Sequence, residues 1–339
     1  MKEPFVEITR GPIVESAHVV SACAVDRNGD PILQIGDIET PVYLRSSAKP
    51  FIAAASVRAG VVERFGLEPR EVAVMAASHS GEPFHIEAVR SILRKIGLSE
   101  SALQCGPHPP YNAAAAAELA RRGEPFSAIH NNCSGKHAGI LALCVLLDCD
   151  PSTYVELDNA AEQEILAFCA RMTGDAVADF PIGVDGCGIP VFAVSPLHGA
   201  RAFMRLATLD EIDPDDARAL GSVRDAMLAY PLYVAGTAEF DSVLMTALDG
   251  AIASKGGAEG VHGDALISEG VGILIKVGDG ARRAVAPTVL SMLEELDAID
   301  LHAQPALERF AAPPIRNRAG REVGKTRVKR AIISKSRSR

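Results

Sequence analysis

No stretch of this chain approaches the roughly 20 uninterrupted apolar residues that a membrane-spanning helix requires. The opening MKEPFVEITRGP alternates apolar and charged residues and lacks the apolar core of a signal peptide, so a cytoplasmic protein is expected. Cysteine is present in odd number, seven among 339 residues, at 23, 105, 133, 144, 149, 169 and 187. Without a secretion signal, that count implies reduced thiols and excludes a disulfide framework. Internal repeats at solenoid spacing and Pro/Ser-rich linkers are lacking, and the longest low-complexity run, Ala113–Ala117, is simply helix-forming. Basic charge is also short: 34 Lys and Arg against 43 Asp and Glu give a net charge of −9, which argues against non-specific nucleic-acid binding. Residues 316–339 depart from this, with ten basic side chains against the single acid Glu322. They read as a solvated, partly frayed terminus.

What is present is an ordinary globular composition, 48% apolar and 23% charged, long enough for one large domain or two small ones. Val6–Thr9 alternates. His18–Val25 and Pro31–Ile35 flank a turn cluster containing Asn28-Gly29, which predicts a hairpin. Helical spacing then dominates: 51–60, 83–96, 113–121, 136–147, 160–172, 215–229 and 287–296. Extended runs return at 265–268, 271–277 and 283–286. Sheet at both ends with helices between predicts an α/β (α+β) fold, a mixed sheet formed by both chain ends with a helical lobe in the middle.

Several polar groups stand out against this frame. Ser46 and Lys49 flank the entry to a helix, because Pro50 is tolerated only in a first turn. Three residues apart they share a face, and the helix dipole favours a neutral Lys49 and a serine alkoxide, the makings of a Ser–Lys couple. Ser46 as a plain N-cap is the competing reading. Downstream, an apolar segment, Val72–Ala77, ends in Ser78-His79-Ser80 before a helix starting at Glu82-Pro83. Ser80 is the expected N-cap, and His79 reads as a packed, hydrogen-bonded core histidine. Lys255 precedes Gly256-Gly257, either a surface turn or a place where backbone approaches a ligand. Lysines are only nine against 25 arginines, and lysine alone of the two loses its proton near neutral pH, so a Gly-flanked lysine merits attention. S-x-x-K, a second serine and a late Lys-Gly pair partly match the S-x-x-K, S-D-N, K-T-G plan of penicillin-recognising enzymes. Cys133 and Cys187 lie at polar, Gly-flanked turns, as free thiols or as zinc ligands with nitrogen donors, whereas Cys144 and Cys169 read as core.

Five blocks in order, Arg10-Gly11 with Glu15–His18, Arg45–Pro50, Ala77–Glu82, Asn131–His137 and Asp185–Pro190, resemble the asparaginase II family, the rhizobial type of L-asparaginase. The resemblance runs from about Phe5 to Gly324 and divides the chain into a catalytic domain, 1–324, and a basic tail, 325–339. It implies a fold similar to serine β-lactamases and glutaminases, a homodimer, and hydrolysis of L-asparagine to L-aspartate and ammonia. It also implies two Ser–Lys pairs, Ser46 with Lys49 and Ser78 with Lys255, and a zinc ion held by Cys133, Lys136 and Cys187. Arg45, Asp185 and His137 are implied on the substrate side. No nucleic acid and no membrane is expected as partner. A glutaminase or β-lactam-recognising hydrolase of the same fold, or a non-catalytic metal- or amino-acid-binding protein, are the alternatives.

Overall fold

Strand Val20–Val25 alternates between two apolar clusters. Cys23 and Val25 join one, Val20, Ala22 and Ala24 the other. Strand Val271–Val277 does the same, with Leu274 in the first cluster and Ile273, Ile275 and Val277 in the second. Period-two burial on both sides means a sheet covered on both faces, and so a three-layer molecule. The computed structural model describes residues 3–335.

The described strands are β1 (Val6–Arg10), β2 (Ile13–His18), β3 (Val20–Val25), β4 (Pro31–Ile35), β5 (Val42–Tyr43), β6 (Ile182–Val184), β7 (Pro190–Val194), β8 (Ile252–Gly256), β9 (Val261–Leu266), β10 (Val271–Val277), β11 (Pro314–Arg316), β12 (Glu322–Val328) and β13 (Ser334–Lys335). The central sheet has the order β13-β4-β3-β10-β9-β8, a four-stranded sheet has the order β11-β12-β1-β2, and three short strands pair as β5-β7-β6. Both chain ends do build one sheet, and β3 and β4 form the expected hairpin. The sheet is not mixed, however: every described pairing is antiparallel.

The helices are α1 (Lys49–Ala59), α2 (Val61–Phe65), α3 (Pro69–Met75), α4 (Pro83–Lys95), α5 (Ala113–Arg122), α6 (Ser134–Leu146), α7 (Ala160–Thr173), α8 (Pro196–Thr208), α9 (Pro214–Ala229), α10 (Pro231–Val234), α11 (Phe240–Ala247), α12 (Val285–Glu295) and α13 (Pro305–Ala311). Helix α8 lies against β3, β9 and β10 so closely that side chains are excluded: a Cβ on Gly272 would sit 2.1 Å from the Ala200 carbonyl, and one on Gly263 1.9 Å from the Phe203 ring. Helices α1, α3, α6, α7 and α9 pack together beyond α8, while α12 packs on the opposite face of the sheet. No helix among the described residues is long and apolar enough to cross a membrane.

Three local expectations fail for identifiable reasons. Residues 283–286, read as extended, are a 3₁₀ turn (Arg282–Ala284) running into α12, because Pro287 falls in that helix's first turn. Ser80 is not the N-cap of α4. Pro83 occupies the first helical position, so Glu82 caps, and the Ser80 hydroxyl donates to the Glu82 carboxylate at 2.9 Å. The basic C-terminal segment is not a frayed tail as far as Lys335: β12 crosses residues 324 and 325 to pair with β1, and β13 pairs with β4. Residues 336–339 lie outside the described residues.

Candidate active site

Ser46 lies in a 3₁₀ turn, Arg45–Ala48, that leads into α1; it makes no cap, and Lys49 opens the helix proper. Arg45 takes φ +50°, a left-handed conformation unusual for a residue with a side chain, of the kind that gathers at functional turns. Gly257 presses onto this turn, where a Cβ would stand 3.3 Å from the Ser46 amide nitrogen. Among the described residues the Ser46 hydroxyl has no hydrogen-bond partner, so it stays free toward the adjoining cavity.

Lys49 is fully buried, and its amine crosses to the end of α3. It donates to the Ala77 carbonyl at 2.7 Å and the Ser78 hydroxyl at 3.0 Å, and meets Cys133 Sγ at 3.2 Å. The expected contact with Ser46 is not made. Ala77 and Ser78 lie past the end of α3 and offer acceptors outside its ladder, which a buried amine requires.

Lys255 is not on a surface turn. It sits on β8 and is fully buried, bonding the Gly256 carbonyl at 2.6 Å, with Asp241 Oδ2 at 3.5 Å. Burial drives its pKa down to about 8, with Asp241 opposing and Lys49 assisting. Asp241, in the first turn of α11, accepts the Gly256 amide at 2.7 Å. Behind it His262 Nδ1 stands 3.9 Å from Asp241 Oδ1, and His262 Nε2 stands 3.1 Å from Asp264 Oδ1 and 2.9 Å from Ser254 Oγ. Asp241 falls below its ordinary value although burial pushes the other way, because Lys255, His262 and the Gly256 amide outweigh it. Asp241, His262 and Asp264 went unnoticed in the sequence. Two polar residues two apart in the apolar run Val261–Leu266, on one face of a strand, were the available signal.

A cavity of about 430 Å³ opens over these groups, with Ser46, Ser78, Asn132, Asp241 and Lys255 on its wall. Lys49 lies behind Ser78. Arg45 and Asp185 pair with each other, Nη2 to Oδ1 at 2.7 Å and Nε to Oδ1 at 3.0 Å, and neither lines that wall. His137 is fully buried, bonded through Nδ1 to the Tyr154 hydroxyl at 2.6 Å, and held neutral by burial, so it too lies outside the cavity wall. His79 is a packed imidazole between the Gly81 amide at 3.2 Å and the Ser134 hydroxyl at 2.9 Å, kept neutral chiefly by burial.

Cys133 caps the start of α6, Lys136 follows in its first turn, and Cys187 comes from the loop before β7. Lys136 Nζ donates to Cys187 Sγ at 3.0 Å. A hydrogen bond from Cys187 pulls the Cys133 thiol well below its usual range; burial opposes this, while Lys49 and Lys136 add to it. The same bond raises Cys187, and the sulfurs hold Lys136 charged despite its burial. Among the described residues no group of three or more His, Cys, Asp or Glu is placed to hold a metal ion. Two sulfurs and the Lys136 ammonium meet here, and they would become a zinc donor set only with the ammonium proton given up.

The profile of the L-asparaginase II family matches residues 6–328, nearly the whole chain. The chain belongs to that family. No curated protein sequence matches it. Among solved structures, one described as "Crystal Structure Analysis of Mglu in its tris and glutamate form" aligns at 17% identity and a TM-score of 0.37, covering 88% of this chain. The chain spans 63% of that protein's length, and at such a score the likeness carries no argument. In this asparaginase II family member, Ser46, Ser78 and Lys255 share the wall of one cavity.

Proposed function

We propose that the protein is an L-asparaginase that releases ammonia by acyl transfer to Ser46. The reading is carried by one observation: two serine hydroxyls and a buried lysine whose pKa falls to about 8 share a single cavity, with a second buried lysine bonded to one of the serines. Ser46 attacks the side-chain carboxamide because its hydroxyl is uncommitted, whereas that of Ser78 is held by Lys49. Lys255, neutral in a useful fraction near pH 7 to 8, takes the proton. Through Ser78 and Lys49 a proton reaches the departing nitrogen, which must leave as ammonia because amide ion is a very poor leaving group. Backbone amides at the Ser46 turn stabilise the oxyanion. Water then hydrolyses the aspartyl ester.

Cys133, Lys136 and Cys187 would hold zinc, which supplies Lewis-acid positioning of a substrate. The protein is further proposed to work as a homodimer and to share the β-lactamase-like fold that its family resemblance implies. Glutamine, one methylene longer, is the second substrate to test in the cavity of about 430 Å³. Steady-state ammonia release from both amides is the decisive experiment. Ser46→Ala should lose roughly a thousandfold or more in kcat with the fold intact. Retention of most activity overturns the assignment and passes the nucleophile to Ser78.

A further inference from the structure

The end of α6 opposite its Cys133 cap carries a second pair of sulfurs. The helix closes at Leu146, Asp148 turns left-handed at φ +54°, and two amides reach back into the helix. Asp148 N bonds the Val145 carbonyl at 3.3 Å, and Cys149 N bonds the Cys144 carbonyl at 3.1 Å. These are the two bonds of a Schellman ending, in which the side chains three positions inside the helix end and two beyond the cap face each other, usually as an apolar contact. Here both are cysteine. Their sulfurs touch at 2.6 Å, each also reaches the other residue's carbonyl, at 3.3 and 3.4 Å, and Cys149 Sγ lies 3.3 Å from Asn159 Oδ1. Cys144 is buried and Cys149 only partly so, which makes Cys149 the outer residue of the pair.

We propose that Cys144 and Cys149 form a thiol-oxidation site that closes reversibly to a disulfide in exchange with a low-molecular-weight disulfide of the glutathione class. The outer Cys149 thiolate attacks one sulfur of the small disulfide, giving a mixed disulfide and expelling one small thiolate. Cys144 then gives its proton to solvent and attacks Cys149 Sγ, expelling the second. In sum two protein S–H bonds are lost, one S–S bond forms, and one small disulfide is reduced to two thiols. Burial, together with the contact to Cys149, pushes the Cys144 thiol up to about 12, which makes closure the slower step. The helix ending holds the two sulfurs side by side before oxidation.

The test uses the full chain, reduced and then equilibrated with oxidised and reduced glutathione at set ratios. Free thiols are alkylated and the product is digested with a protease that cuts before aspartate. Cleavage ahead of Asp148 and Asp150 separates Cys144 from Cys149, so the two fragments stay joined only through sulfur. The expected product is that joined pair, with two thiols fewer per chain, fully reversed by excess reduced glutathione. Cys149→Ser should show no such loss and release ammonia at the parent rate in either buffer. The proposal falls if both cysteines remain alkylated throughout, if Cys149 stops as a glutathione adduct without closing, or if the new bond joins Cys133 to Cys187 instead.

Discussion

Lys49 and Lys255 are both fully buried beside the same cavity, yet they are held in opposite ways. Lys49 meets a carbonyl, a hydroxyl and a sulfur, all at 2.7–3.2 Å. Lys255 meets one close carbonyl, while its carboxylate partner stands off at 3.5 Å, occupied by the Gly256 amide and drawn toward His262. The difference shows that burying a lysine beside an aspartate does not guarantee a tight ion pair. Where the anion is shared, desolvation wins, and an amine that loses its proton near neutral pH results.

Breaking the contrast at Lys255 should have the largest effect. Lys255→Arg keeps the positive charge but cannot lose a proton, so kcat should fall roughly a hundredfold or more. The parent enzyme's kcat/KM should drop about tenfold per pH unit below about 8, as Lys255 takes up its proton, and that limb should be gone in the variant. A flat profile for the parent would remove Lys255 as the base.

A second test sharpens the comparison with a buried acid on which the nearby Lys136 charge is outweighed by desolvation. Glu162 on α7 is 1% exposed, its Oε1 lacks a partner, and burial raises its pKa from 4.5 to about 8. A carboxyl whose folded value lies above its unfolded one costs nothing below about pH 4.5, and stability is lost as pH rises toward 8. Glu162→Gln should therefore stabilise the protein by roughly 3 kcal/mol at pH 7, and by nothing at pH 4. Denaturant unfolding at the two pH values checks this.

The smallest expected change comes from Asp241→Asn. Removing the anion that supports the Lys255 ammonium lowers that lysine further, so the acid limb of kcat/KM should move down by about one pH unit. An unmoved limb would show that Asp241 does not set the protonation of Lys255.

Much of this was legible from local pattern. Two alternating runs around Asn28-Gly29 gave a hairpin, and apolar spacing placed the seven helices within a few residues, because those signals are periodic and short-range. Helix α3, by contrast, looked only like an apolar run, since Val72–Ala77 has no polar face to set a period. The 3₁₀ turn before α12 looked extended for want of a start signal other than Pro287. At the cavity, Ser46, Ser78 and Lys255 stood out in the sequence while Asp241 and His262 did not, and no pairing could be read. Ser46 and Lys49 are neighbours in sequence, but the amine of Lys49 is taken by Ala77 and Ser78, nearly thirty residues away.

By itself the sequence determined the main periodic helices, the first hairpin and which family the chain joins, because backbone propensity and motif order are written along one dimension. Only the tertiary structure decided that Lys255 is buried on a strand, that Asp241 and His262 stand beside it, that Arg45 is tied to Asp185, and that Cys144 touches Cys149. Desolvation and hydrogen bonding act through space, and their outcome depends on neighbours that chain order does not name.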